Sequence, residues 1–83
     1  MAYIEVARTD LTDNEGSTLS IIVESNGVSW ELYATHRRSD QLASEATHSN
    51  WWSFVDQSRA LEHQEAKVVE AVAIGWKRRD SDV

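Results

Sequence analysis

Two runs of alternating apolar and polar residues flank an Asn-Gly dipeptide in the N-terminal half of the chain. Residues 18–25 (TLSIIVES) and 28–35 (VSWELYAT) are rich in β-branched and aromatic residues, which favour strands. Asn26 and Gly27 both tolerate the positive φ of a type I′ turn, so the pattern predicts a β-hairpin with a two-residue turn. That turn sets three pairs on the core-facing side: Val23 with Trp30, Ile21 with Leu32, and Leu19 with Ala34.

The other face of the hairpin is predicted to be mostly polar, with one exposed aliphatic and one aromatic side chain. Its residues are Ser20, Ile22, Glu24, Ser29, Glu31, Tyr33 and Thr35. Residues 3–8 alternate in the same way, with Ile4 and Val6 expected to point inward. They predict a third antiparallel strand beside the first strand of the hairpin, joined to it by a loop over residues 9–17.

From Ser39 onward the spacing of apolar residues favours helices. Ser39 suits an N-cap, and a first short helix is expected to end near Thr47. Ser49 or Asn50 would cap a second helix, whose apolar residues are Trp51, Trp52, Phe54 and Val55.

The segment from Ala60 to Trp76 has two interpretations. Its apolar residues share one helical arc, and Gly75 suits the position just beyond a helix end; the arc comprises Leu61, Val68, Val69, Val72 and Trp76. Helix is therefore the prediction, although alternation over residues 67–77 also allows a fourth strand. The fold class that follows is α+β, with a three-stranded antiparallel meander packed against C-terminal helices. Residues 1–83 form one domain, with strands in 1–36, helices in 39–76 and a frayed tail over 79–83.

Charge changes this picture because it is unevenly spread. The 83 residues carry a formal net charge of −6, and residues 1–36 hold six acids against one base, Arg8. The six acids are Glu5, Asp10, Asp13, Glu15, Glu24 and Glu31. This distribution serves solubility or forms an acidic docking surface, and in either case it disfavours direct binding to nucleic acid.

Candidate catalytic and metal-binding patterns are incomplete. Glu45 and His48 have the Glu-x-x-His spacing of di-iron sites, but a single such pair is too few. The acids of residues 10–16 do not match the ligand positions of an EF-hand loop. The chain has no Gly-x-Ser-x-Gly elbow, no glycine-rich phosphate loop and no cysteine. The expectation is a protein that is not an enzyme and has no cofactor or metal.

Adjacent Trp51 and Trp52 cannot both point inward to the same extent on one helix, so one is expected to be half exposed, either as an anchor for a partner or as a ring that lies over the edge of the core. The predicted partner-binding residues are Asp10, Asp13, Glu15, Glu24, Glu31, Tyr33, Trp51 and Trp52. The start of the chain lacks the basic and apolar segments of a signal peptide, and no stretch is long enough to span a membrane. A cytoplasmic location without membrane contact is expected.

In its size, acidity, lack of cysteine and lack of catalytic motifs, the chain resembles the small phage-encoded inhibitors of bacterial defence, particularly the anti-CRISPR proteins. No family motif is matched, and no residue is carried across. The resemblance implies a protein that docks on a basic subunit of a CRISPR effector complex and blocks access of nucleic acid. The alternatives are a self-associating structural protein, such as a homodimer, and a small-ligand accessory domain.

Overall fold

The computed structural model describes residues 2–79, apart from the side chains of Ala43, Ser49, Asn50 and Trp51. Its antiparallel sheet has five strands in the order β4-β3-β2-β1-β5. The elements are β1 (Ile4–Thr12), β2 (Thr18–Ser25), β3 (Trp30–Arg37), a 3-10 turn (Ala43–Glu45), β4 (Thr47–Phe54), α1 (Gln57–Ala73) and β5 (Lys77–Arg78). The predicted α+β class is confirmed, but the described residues contain one α-helix in place of the expected set. Of the predicted tail, residues 80–83 lie outside the described residues.

The predicted hairpin is present with a longer loop. Ser25 pairs with Trp30 and Val23 with Leu32, so the expected pairing of Val23 with Trp30 is wrong by two residues. The loop is tied by Asn26, whose side-chain oxygen accepts hydrogen bonds from the backbone N–H groups of Val28 and Ser29, at 2.9 Å each. Because side chains alternate with a period of two, a shift of two residues leaves every side chain on its predicted face.

Strand β1 pairs with β2 as predicted, but a bulge interrupts it. Glu5 lies opposite Glu24 and Ala7 lies opposite Val23, which leaves Val6 as the extra residue. Ile4 is 71% exposed and Val6 is 39% exposed. The prediction that both side chains point into the core is therefore wrong. Strand β1 continues to Thr12 through residues that were expected to form a loop. Its core residue is Leu11, which is fully buried.

The two helices expected between residues 39 and 55 are wrong. The first is only the 3-10 turn, and the second is strand β4, which pairs with β3. Trp30 lies opposite Phe54 and Leu32 lies opposite Trp52, so the aromatic side chains that fit a helical stripe instead alternate along a strand. The fourth strand is therefore at Thr47–Phe54 and not at residues 67–77.

The helix predicted for the last segment is confirmed, and it begins earlier, at Gln57. Asp56 is its N-cap, with a side-chain oxygen that accepts a hydrogen bond from Ser58 N–H at 2.9 Å. The helix ends before Gly75, which has a φ of +120°. The buried stripe is rotated from the predicted arc: Val69 and Val72 are exposed, and the buried helix residues are Ala60, Gln64, Val68 and Ala71.

The core lies between α1 and one face of the sheet. The side chains of Ile21, Val23 and Leu32 are buried against Val68 and the small Ala71. No helix within residues 2–79 covers the other sheet face, and we call it the open face. Strand register places these residues on it: Glu5, Arg8, Asp10, Ser20, Ile22, Glu24, Glu31, Tyr33, Thr35, Arg37 and His48.

Candidate functional site

Of the eight residues predicted to bind a partner, the seven whose side chains are described fall on three separate surfaces. Asp10, Glu24, Glu31 and Tyr33 share the open face. Asp13 and Glu15 lie in the turn between β1 and β2, and Trp52 lies on the helix side of the sheet. The side chain of Trp51 is outside the described residues. The structure therefore places four of the predicted residues on one face and three others elsewhere.

Three glutamates form a continuous row across the open face. Glu5 lies directly opposite Glu24, and Glu24 lies directly opposite Glu31. Neighbouring strands are about 4.8 Å apart, so three carboxylate-bearing positions lie within about 10 Å. We call Glu5, Glu24 and Glu31 the acidic row. The sequence indicated Glu24 and Glu31, whereas Glu5 was missed as a site residue because only the bulge brings it into register.

Two tyrosine hydroxyls hold carboxylates of the acidic row. Tyr33 Oη donates to Glu24 Oε2 at 3.0 Å, and Tyr3 Oη donates to Glu31 Oε2 at 2.7 Å. Partial burial and the hydrogen bond to Glu24 raise the pKa of Tyr33 to about 12. The hydrogen bond to Glu31 likewise raises the pKa of Tyr3 above its ordinary value. Both phenols stay neutral at physiological pH, so they orient the carboxylates without cancelling their charge.

Asp10 lies in β1 and not in the loop where it was expected. Its Oδ1 accepts hydrogen bonds from Ser20 Oγ at 2.6 Å and from Arg8 Nε at 3.0 Å. Burial alone would raise the pKa of Asp10, but the bonds from Ser20 and Arg8 outweigh this effect and hold that pKa below its ordinary value. Asp10 is therefore committed to interactions within the sheet and is a weaker candidate for direct partner contact.

Asp13 shapes the turn that follows β1. Its Oδ1 accepts hydrogen bonds from the backbone N–H groups of Glu15 and Ser17, at 2.9 Å each. Desolvation would raise the pKa of Asp13, but the backbone hydrogen bonds from Ser17 and Glu15 lower it. The turn therefore uses the Asp13 carboxylate for its own conformation, while the side chain of Glu15 is exposed.

Apolar side chains lie at the same end of the sheet as the acidic row. Val28 belongs to the loop after β2, whereas Ile4 pairs with Ser25, which places its side chain on the helix side of the sheet. Both are well exposed, and Tyr3, which reaches Glu31, is 42% exposed. Val28 and the ring of Tyr3 therefore form an apolar margin at the end of the sheet where the acidic row lies.

Trp52 lines a different feature, an apolar groove of about 520 Å³ between α1 and the inner face of β2, β3 and β4. Lys67 Nζ lies 4.9 Å from the centre of a Trp52 ring, and it also pairs with Glu70 at 3.6 Å. Trp52 is half-buried there and packs against the core. Trp52 therefore covers the edge of the hydrophobic core and is a weaker candidate for contact with a partner.

A second concavity lies on the open face, about 14 Å along β2 from the acidic row. Its volume is about 400 Å³, and its lining includes Arg8, Arg37 and Arg79. None of these arginines was among the predicted site residues. The two-residue period of a strand could have placed Arg37 on the open face, because Arg37 follows Tyr33 and Thr35 at a spacing of two.

Residues 2–79 contain neither a cluster of metal-binding side chains nor a helix that could span a membrane. No three histidine, aspartate or glutamate side chains in this range are grouped closely enough to hold a metal ion. The single described helix is neither long enough nor apolar enough to cross a bilayer. Compared with protein-family models, with curated proteins and with solved structures, the chain matches none of them.

Proposed function

We propose that this chain is a non-catalytic binding protein that docks its acidic row on a basic surface of a protein partner. The observation that carries the proposal is the direct juxtaposition of Glu5, Glu24 and Glu31 across three adjacent strands. Like charges directly opposite each other destabilise a sheet, whereas opposite charges contribute roughly 0.2–1 kcal/mol per pair. Such a row becomes favourable when lysine or arginine side chains of another molecule lie over it.

The surroundings of the row support a specific contact more than a merely soluble surface. Arg8 neutralises only one end, with Nη1 at 3.1 Å from Glu5 Oε1. Tyr3 and Tyr33 fix the orientation of the other two carboxylates, so little side-chain freedom is lost when a partner binds. The exposed Val28 and the ring of Tyr3 provide apolar area at the margin, which supplies affinity, while the charges supply steering and register.

The partner that fits this surface has a groove rich in arginine and lysine, such as a surface that normally holds a nucleic-acid backbone. An acidic row seated there occupies the positions of phosphates and blocks access. In its size and acidity the chain is similar to the phage-encoded anti-CRISPR inhibitors, so we propose a basic subunit of a CRISPR effector complex as the target. This function places the protein in the cytoplasm.

The test compares two double variants that change the net charge equally. Glu24→Gln with Glu31→Gln removes two charges from the acidic row, while Glu62→Gln with Glu70→Gln removes two exposed charges from α1. Each variant is titrated by surface plasmon resonance against purified CRISPR effector complexes loaded with guide RNA, at low and high salt. A parallel assay measures release of labelled target nucleic acid from the effector.

We expect the row variant to bind at least about tenfold more weakly, chiefly through slower association, and to displace less nucleic acid. The α1 variant should retain both activities. Equal weakening in the two variants would mean that only net charge matters, and would refute docking through the row. Failure of the unaltered chain to bind any effector complex would refute the CRISPR target.

A further inference from the structure

The concavity at the far end of the open face is a candidate ligand site in its own right. It is lined by Arg8, Asp10, Thr18, Ser20, Ile22, Thr35, Arg37, Ala46, His48 and Arg79, and its volume is about 400 Å³. We propose that it binds the phosphate group of a small phosphorylated molecule about the size of a nucleoside monophosphate. This inference does not rest on the proposed function, because it concerns another part of the open face and another kind of ligand.

The local charge is opposite to that of the whole protein. Three arginines and one aspartate line the concavity, which gives a formal charge of +2 within a chain of −6. These arginines come from β1, from β3 and from the segment after β5, so the tertiary fold brings them together. A concave surface of one sign concentrates ions of the other sign, so this end of the open face attracts anions.

Arg37 has the donors that a phosphate requires. Arg37 Nη1 donates to the backbone oxygen of Gln41 at 3.0 Å, which uses one of the five N–H donors of a guanidinium. Thr18 lies directly opposite Arg37, and Thr35 lies two residues before it on the same face. Hydroxyl and guanidinium donors therefore line one wall of the concavity, in the combination that binds phosphate oxygens.

Asp10 would repel an anion if its charge were uncompensated. Its carboxylate is instead engaged by Ser20 and by Arg8, and Arg8 is held in place by a second ion pair with Glu5. Arg79 contributes a further positive charge close to Asp10, and its backbone N–H donates to Asp10 O at 2.9 Å. Asp10 thus positions Arg8 and Arg79 at the wall.

The dimensions favour a ligand larger than inorganic phosphate. A volume of about 400 Å³ lies within the roughly 300–1,000 Å³ of small-molecule sites. Ile22, only 4% exposed, and Ala46 add apolar surface to the polar wall. A phosphate on the arginines therefore leaves room for an attached organic group against these residues.

The experiment is an NMR titration of the isotope-labelled chain with adenosine monophosphate, with adenosine and with inorganic phosphate. We expect saturable shifts of the Thr18, Ser20 and Thr35 amides with the monophosphate, at least about tenfold weaker binding of inorganic phosphate, and no binding of adenosine. Equal affinity for phosphate and the monophosphate would overturn the assignment of the larger ligand. Absence of saturable shifts with both phosphate probes at millimolar concentration would overturn the site.

Matched variants distinguish this concavity from general charge. Arg37→Gln and Arg79→Gln each remove one wall arginine, and Arg38→Gln removes the neighbouring arginine, whose Nε pairs with Asp40 at 3.3 Å outside the concavity. The two wall variants should each weaken binding of the monophosphate by about tenfold, and the control should not. Since Arg79 follows the last strand, its variant tests the site with little risk to folding. Equal losses in wall and control variants would refute the proposal.

Discussion

Glu24 lies directly opposite Glu31 in the pairing of β2 with β3, and each carboxylate accepts a hydrogen bond from a different tyrosine. The two acids are thus held side by side on a rigid part of the sheet. Their repulsion is retained in the free protein, and binding of a cationic partner relieves it. Stability and binding are therefore expected to respond in opposite directions to a change in this row.

Glu31→Gln should stabilise the free protein. The change removes a like charge opposite Glu24 and keeps a side-chain oxygen that accepts the Tyr3 hydroxyl, so the free energy of unfolding should rise by roughly 0.2–1 kcal/mol. Urea denaturation at low salt, followed by tryptophan fluorescence, measures this. Glu62→Gln on the exposed surface of α1 is the control. A lower midpoint for Glu31→Gln than for the control would contradict repulsion within the row.

Alkaline pH should destabilise the fold through Tyr33. Its pKa is raised from 10.0 to about 12 in the folded state, so the neutral phenol is favoured by folding. The stabilising contribution is complete below pH 10 and is lost as pH rises toward 12. Absorbance titration of Tyr3→Phe, in which Tyr33 is the remaining tyrosine, should show ionisation well above that of the urea-unfolded chain. Coincident folded and unfolded titrations would contradict the burial and hydrogen bonding of this phenol.

Acidic pH should destabilise the fold through Asp10. Its folded-state pKa lies below the ordinary value of 3.8, so its contribution is present above that value and is lost as pH falls below it. Asp10→Asn should lower stability at neutral pH and flatten the decline of stability in acid. Thermal unfolding of both proteins at a series of pH values measures this, with Asp40→Asn as an exposed control. A decline as steep in Asp10→Asn as in the unaltered chain would contradict the prediction.

Gln64 connects the helix to the centre of the sheet. Its side chain is buried, and Nε2 donates to Ile21 O at 3.1 Å. Gln64→Glu places a carboxylate against that carbonyl, so it should cost more than the ~1–3 kcal/mol of a lost buried hydrogen bond at neutral pH. The deficit should shrink in acid, where a protonated glutamate donates again. Chemical denaturation at neutral and at acidic pH measures this, with Gln57→Glu at an exposed position as the control. A loss of stability that is the same at both pH values would contradict the prediction.

The faces of the hairpin could be predicted because alternation alone determines them. Ile21, Val23 and Leu32 are buried as expected, although the loop is two residues longer. Ile22 differs: it was expected to be exposed, but it lies between Arg8 and Tyr33, whose longer side chains flank it. Burial on the open face depends on cross-strand neighbours, which a single strand does not reveal.

The features that were missed depend on contacts between distant parts of the chain. The spacing of Trp52, Phe54 and Val55 fits a helical stripe as well as a strand, and pairing with β3 decides between them. In the same way, Arg37 and Arg79 are far apart in sequence and meet only because β5 returns beside β1. The local spacing of residues reveals neither the pairing of β4 with β3 nor the meeting of these two arginines.

Strand β4 is one edge of the sheet, and among the described residues the first part of β1 is also an edge, because β5 pairs with β1 only at Leu11 and Thr12. Both edges carry an irregularity, and this bears on aggregation. The bulge at Val6 interrupts β1, and the pairing of β4 with β3 shifts between Leu32 and Ala34. A flat, unbroken edge is a template on which a partly unfolded or neighbouring chain adds its own strand, and bulges twist the edge away from such pairing. An added strand would keep its hydrogen bonds for only a few residues before losing register at either edge. The same bulge that brings Glu5 into the acidic row therefore also protects the protein from growing into fibres through its sheet.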